Sequence, residues 1–171
     1  LRFNVAVDNQ GLVEALDGST VTYNASATTV NNMAGNLVGG VWRAEDTGSG
    51  AAITLRGADI TTNNADVTLK GANSLIQVLT TSIDTTLDTN NGSLRLQDGR
   101  VFNATANGGN FTNTGALEVT DSTFTASTLV SDGQINSFGN SVVTTATGNQ
   151  VMGAGQVSSS FGTLEITRGV N

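Results

Sequence analysis

One phrase occurs three times in this chain, always in the same direction. Gly92 opens GSLRLQDGRVFN, Gly115 opens GALEVTDSTFT and Gly162 opens GTLEITRG. Each reads as glycine, a small residue, Leu, a charge, then an aliphatic residue. In the first two a Phe follows nine or ten places after the glycine. The first two glycines are 115 − 92 = 23 residues apart, and the next step, 162 − 115 = 47, is about twice that. A direct repeat of this length marks a stack of coils, each burying its apolar side chains against its neighbours.

Period-two alternation fills the space between the phrases. AAITLRG, ADVTLKG and NSLIQV place apolar residues two apart, and the first two end on Gly, which is the strand signal. The opening third is less regular, but FNVAV, LVEAL and TVTYN read as short extended pieces between DNQG and DGS. No stretch carries the periodicity of an amphipathic helix, and no linker divides the chain, so residues 1–171 form one domain. Asn91-Gly92 and Asp98-Gly99 suit hairpin turns, which makes an antiparallel sandwich the competing fold. Constant direction, constant Phe offset and a constant slot for the charge favour coils. The expectation is an all-β, right-handed parallel β-helix (a β-solenoid) of about seven turns, with turns stacked roughly 4.8 Å apart.

That register assigns positions. Leu94, Leu96, Leu117, Val119, Leu164 and Ile166 point inward as one aliphatic stack, continued by Ile53/Leu55 and Val67/Leu69. Phe102 and Phe124 form a second internal stack. Arg95 and Glu118 lie outward as neighbours of opposite sign. Gly92, Gly115 and Gly162 take corners that need positive φ or close backbone approach. The Asn pairs, Asn31-Asn32, Asn63-Asn64 and Asn90-Asn91, make turns or internal amide ladders.

Composition narrows the chemistry. Seven basic and 14 acidic residues give a net charge of −7, spread along the chain, which argues against nucleic acid or an anionic membrane as partner. There is no Cys, His or Pro. Disulfides, thiolate nucleophiles and the commonest general base and metal ligand are therefore absent. No apolar run approaches the roughly 18 residues of a membrane-spanning helix. The chain opens at Leu1 without a signal-like segment, which suggests a mature or excised piece of something longer.

Residues GGVWRAEDTGSGAAITLRGADITTNNADVTLKGANS and NGSLRLQDGRVFNATANGGNFTNTGALEVTDSTFTA resemble the repeat regions of large secreted bacterial surface proteins. These are haemagglutinin-like adhesins and autotransporter passengers with β-helical shafts. The resemblance runs from about Gly35 to Thr128 and rests on style of sequence rather than on a catalytic motif. It implies an extracellular or cell-surface location and a structural or adhesive role as shaft, matrix or filament subunit, and it supplies no site residues.

Sites of chemistry are sparse. The best-spaced carboxylates are Asp98 and Asp121, 23 residues apart, and a glycosidase needs its pair within roughly 5–9.5 Å. Both follow a strand phrase in Asp-Gly or Asp-Ser, where an exposed turn acid is the plainer reading. Sugar binding would call on Trp42 and Tyr23, the single Trp and Tyr. Calcium would call on one of two loops, Asp88-Thr-Asn-Asn-Gly with Asp88 and Asn90 or Asp46-Thr-Gly-Ser-Gly with Asp46, but neither completes an EF-hand loop. Threonine is plentiful, yet Thr61-Thr62, Thr80-Thr81, Thr85-Thr86 and Thr144-Thr145 show no Thr-x-Thr at one fixed slot per turn, which speaks against ice binding. Gly108-Gly109 and Gly153-Ala-Gly155 are corners, since no helix or Lys-Ser/Thr follows them. Asp132–Gln150, the least regular late stretch, is the expected site of a protruding loop. The chain thus reads as a non-enzymatic shaft without a resident cofactor, its partners further coils by end-to-end stacking, and surface glycans. A carbohydrate-active or tailspike-like β-helix is the alternative.

Overall fold

The structure, a computed structural model, describes residues 1–24, 29–104, 109–145 and 151–160. These form a parallel β-solenoid of about six turns. Among the described residues there is no α-helix, and a single 3-10 turn covers Ile83–Thr85. Two antiparallel pairings occur among the described strands, Asn32–Met33 with Leu37 and Asn36, and Thr81–Ser82 with Val78 and Gln77. All other strand pairs are parallel, so the sandwich alternative does not apply.

Each turn crosses three faces. The principal face stacks Leu12–Ala15, the second half of Asn36–Glu45, the second half of Thr62–Lys70, Ser93–Gln97, Ala116–Thr120, Gln134–Phe138 and Gln156–Ser160. Its inward side chains make two columns. One runs Val13, Trp42, Val67, Leu94, Leu117, Ile135, Val157, and the other Ala15, Ala44, Leu69, Leu96, Val119, Ser137. Leu94, Leu96, Leu117 and Val119 are completely buried. Burying such a side chain is worth about 1.5–3 kcal/mol, so the columns tie each turn to the next.

Residue numbers along the first column differ by 29, 25, 27, 23, 18 and 22, read from Val13 to Val157. Along this column the 23-residue step therefore holds for one pair, Leu94 and Leu117; on another wall it returns between Ile53 and Ile76. Longer early coils account for six turns where an even period gives seven. The place two turns after Leu117 belongs to Val157; Gly162, Leu164 and Ile166 lie outside the described residues.

Ile53 and Leu55 occupy a different face from the one expected. They sit on a second wall, where Val21, Ile53 and Ile76 align, as do Leu55 and Val78. Alternation separates inside from outside but cannot tell one inward wall from another. This second face is split. Arg2–Phe3, Ser19–Tyr23, Ala51–Leu55 and Ser74–Val78 form one sheet, and Val101–Asn103, Thr123–Ala126 and Val142–Thr145 form another. Phe102 and Phe124 are register partners in the latter, their rings stacked with centroids 5.8 Å apart, and Phe111 meets Phe124 edge-on at 4.9 Å. The segment 79–87 lies between the two sheets in sequence and inserts Ile83 and Leu87 into the core.

The third face is built on amides. Asn63, Asn90, Asn113 and Ser131 are fully or nearly fully buried and align turn upon turn. Asn63 Nδ2 donates to Asn90 Oδ1 at 2.8 Å, Asn90 Nδ2 to Asn113 Oδ1 at 2.7 Å, and Asn113 Nδ2 to Ser131 Oγ at 3.0 Å. Each Nδ2 also donates to a backbone carbonyl of the next turn, on Ser93, Ala116 and Gln134. The buried amides are thus satisfied, as an apolar surrounding demands. Beside this ladder the corner glycines stack. A Cβ on Gly92 would lie 2.1 Å from Ala65 O, one on Gly115 2.0 Å from Gly92 O, and one on Gly133 2.1 Å from Gly115 O. Close approach, not positive φ, is what these corners require.

Candidate functional site

Two surface features arise from this stacking: an acidic corner and the outer side of the amide-ladder face. The acidic corner lies where the chain leaves the principal face. The residue two places after the second inward column is in turn Asp17, Asp46, Gly71, Asp98, Asp121 and Gly139. Aspartate suits the place because its side chain caps nearby backbone amides and the residue tolerates left-handed φ. Asp98 and Asp121 have φ of 55° and 49°.

At the wide end of this corner, Asp17 and Asp46 together fold the loop 46–50. Asp17 Oδ1 accepts from Thr47 N and Ser49 N, each at 2.9 Å. Asp46 Oδ1 accepts from Gly48 N at 2.7 Å and Gly50 N at 2.8 Å, and its Oδ2 from Asn73 N at 2.8 Å. Amide hydrogen bonds stabilise a carboxylate's charged form. The Ser49 and Thr47 amides lower the Asp17 carboxyl to about 2, and those of Asn73, Gly48 and Gly50 hold Asp46 below its ordinary value. Sequence reading missed Asp17, whose contribution comes from the preceding turn, 30 residues from Thr47.

Asp98 and Asp121 occupy equivalent places on adjacent turns, with Gly99 N donating to Asp121 O at 2.7 Å. Their carboxylates have separate occupations. Asp98 Oδ2 lies 3.7 Å from Lys70 Nζ. Asp121 Oδ1 accepts from Asn140 N at 2.8 Å, and a Cβ on Gly139 would fall 2.2 Å from it. Asp121 thus caps the following corner, while Asp98 is an exposed turn acid paired with Lys70. The single Trp and Tyr, too few for the aromatic platform that sugar binding wants, are inside. Tyr23 and Trp42 are wholly buried, with ring centroids 6.4 Å apart. Trp42 Nε1 donates to Gly39 O at 3.0 Å, and burial pushes the Tyr23 phenol up to about 12.

The calcium candidates of the two loops have other partners. Asp46 belongs to the acidic corner, Asp88 accepts from Thr89 Oγ1 at 3.0 Å, and Asn90 turns inward with its amide committed to the ladder. Among the described residues no group of three or more acidic side chains is gathered for a metal. Arg95 and Glu118 are register partners as expected, but the Arg95 guanidinium pairs diagonally with Asp66, one turn back. Of the stretch expected to protrude, Gln134–Phe138 and Val142–Thr145 are strands in register with the turn before them, and 146–150 lie outside the described residues.

Sequence reading also missed a buried ion pair. Arg100, 5% exposed, reaches Asp84 of the inserted segment. Burial raises the Asp84 carboxyl, with the Arg100 charge opposing. Nothing in the spacing of Asp84 and Arg100 announces this contact, which exists because the insertion folds back over the next coil.

The outer side of the ladder face is polar and regular. Alternating with the buried amides, Thr62, Thr89 and Thr112 form one outward row. Asn64, Asn91 and Thr114 form a second, exposed one. Asn91 Nδ2 donates to Asn64 Oδ1 at 3.0 Å, and Thr114 Oγ1 to Asn91 Oδ1 at 2.7 Å. A single threonine recurs at one slot on three turns here, while Thr-x-Thr occurs on this face at Thr112–Thr114 alone, in line with the reading from sequence. The steps of 27 and 23 residues hide the row from any search at fixed period. No protein-family model, curated protein or solved structure matches this chain.

Proposed function

We propose that this chain is a structural shaft segment of an extracellular surface protein, matrix or filament, extended by end-on stacking of further coils. The observation supporting this most directly is the unbroken parallel backbone ladder of the principal face, from Leu12–Ala15 to Gln156–Ser160. Load along such a rod is carried by continuous inter-turn hydrogen bonds and interlocked side-chain columns. Neither depends on a ligand.

The first coil supplies the joining surface. Arg2–Phe3 and Leu12–Ala15 each pair with a strand on one side only among the described residues. Leu1, Val5, Leu12 and Leu16 around them are half or more exposed. An unpaired strand edge beside apolar side chains is a template for another strand. The test is light scattering and negative-stain imaging over a range of concentrations. Rods longer than one chain, growing with concentration and abolished by Leu12→Lys, are expected. A compact monomer at every concentration would defeat the end-on reading.

A further inference from the structure

We propose that Asn91-Gly92 is a site of spontaneous modification, latched by the winding of the chain. It deamidates only when its corner lifts from the adjacent coil, and the product keeps that corner from closing again. The reaction needs no enzyme. The Gly92 amide nitrogen attacks Asn91 Cγ, ammonia leaves, and a cyclic imide remains. Water then opens the ring to aspartate or to isoaspartate, whose main chain runs through the former side chain. Glycine in the second place favours the attack because it carries no Cβ to shield its nitrogen.

The structure withholds both reacting ends. Gly92 N donates to Asn63 O at 2.9 Å. The Asn91 amide is held as well, its Nδ2 donating to Asn64 Oδ1 at 3.0 Å and its Oδ1 accepting from Thr114 Oγ1 at 2.7 Å. The same latch closes the other Asx-Gly junctions among the described residues. Gly18 N donates to Gly50 O at 2.6 Å, Gly99 N to Asp121 O at 2.7 Å and Gly133 N to Asn113 O at 3.0 Å. Those three follow aspartates, which must be protonated to react and seldom are at neutral pH. Asn107-Gly108 lies outside the described residues. Among the described junctions Asn91 is therefore the reactive one, and its exposed side chain meets the water that the second step consumes. Crowding blocks reclosure. Isoaspartate inserts one more main-chain carbon immediately before Gly92, where an added Cβ would already lie 2.1 Å from Ala65 O. The preceding residue, Asn90, would be drawn out of line with its ladder partners Asn63 and Asn113.

The experiment ages the whole chain in mildly alkaline buffer, folded and in urea, and follows each Asx-Gly junction by peptide mapping with isoaspartate detection. Conversion at Asn91 is expected to run at least about tenfold slower in the folded chain, because local opening populates the reactive form only in part. Asn90→Ala removes the rung beside the corner and should raise the folded rate severalfold, measured against its own rate in urea. Gly11→Ala should not. Should Asn90→Ala not fold, the wild-type chain in urea below its unfolding transition replaces it, with the same rise expected. The isoaspartyl chain, separated by ion exchange, should unfold at lower urea than Asn91→Asp, which gains the charge without the extra carbon. Equal rates at Asn91 in the folded and unfolded chain overturn the proposal. So does a loosened corner that reacts no faster, or an isoaspartyl chain as stable as Asn91→Asp.

Discussion

The early and late coils solve one problem by different means. Up to Leu94 each turn takes 25 to 29 residues, and after it 18 to 23. The long coils hold the Gly39-Gly40 bulge, the 46–50 loop and the 79–87 insertion, and their outer principal face is laced with charge. Arg43 meets Glu14 and Glu45, Lys70 meets Glu45 and Asp98, and Arg95 meets Asp66. The short coils replace those columns with Gln134, Asn136, Gln156 and Ser158. The amide ladder and the stacked glycines run across the boundary, from Asn63 and Gly92 in the long coils to Ser131 and Gly133 in the short ones. Extra residues are accommodated at corners because a coil need only return to register. They are not accommodated within a column, where one misplaced side chain faces two neighbours.

The comparison is broken most severely at the shared column. Leu117→Asp should cost more than about 4 kcal/mol, since a buried charge there has no partner, and the urea midpoint should fall until the coils on both sides are lost. If only the late coils melt, the two regions are separate folding units. Gly115→Ala tests the short-coil corner. Its Cβ would meet Gly92 O at 2.0 Å, and overpacking against backbone predicts a loss of about 3 kcal/mol. Gly11→Ala, with nothing within 4 Å, should be close to neutral in the same titration. Asn90→Ala removes the middle rung of the ladder and should cost about 2 kcal/mol through partners left unsatisfied.

Smaller effects belong to the long coils. Asp17 is lowered from 3.8 to about 2 on folding. Its stabilisation is therefore complete above the unfolded value and is lost as pH falls through the folded one. Thermal melts between those values should show an acid-side decline that Asp17→Asn flattens. Smallest of all, Arg43→Met should change stability by no more than about 0.5 kcal/mol, because its pairs are half-exposed. A greater loss, suppressed by salt, would show the charged face acting as a network.

Fold class and the central register were legible because Leu94-x-Leu96 and Leu117-x-Val119 sit on consecutive coils that share the 23-residue step. The wall occupied by Ile53 and Leu55 was not legible, since every wall obeys the same alternation. The acidic corner was half legible. Asp98 and Asp121 follow the phrase, whereas Asp17 acts on residues brought near only by the winding of the chain, as does Asp84 in its ion pair outside the corner.

By itself the sequence pointed to a stack of parallel strands with aliphatic and aromatic interiors, and left the asparagines to turns or to an internal ladder. Alternation and a recurring phrase are local properties that survive any change in corner length. Only the tertiary structure decided which residues share a column, and hence that Thr62, Thr89 and Thr112 form a row and that Asn90 turns inward to the amide ladder. Lateral neighbours in a solenoid are set by the summed length of three walls and their corners, and that sum changes from one turn to the next.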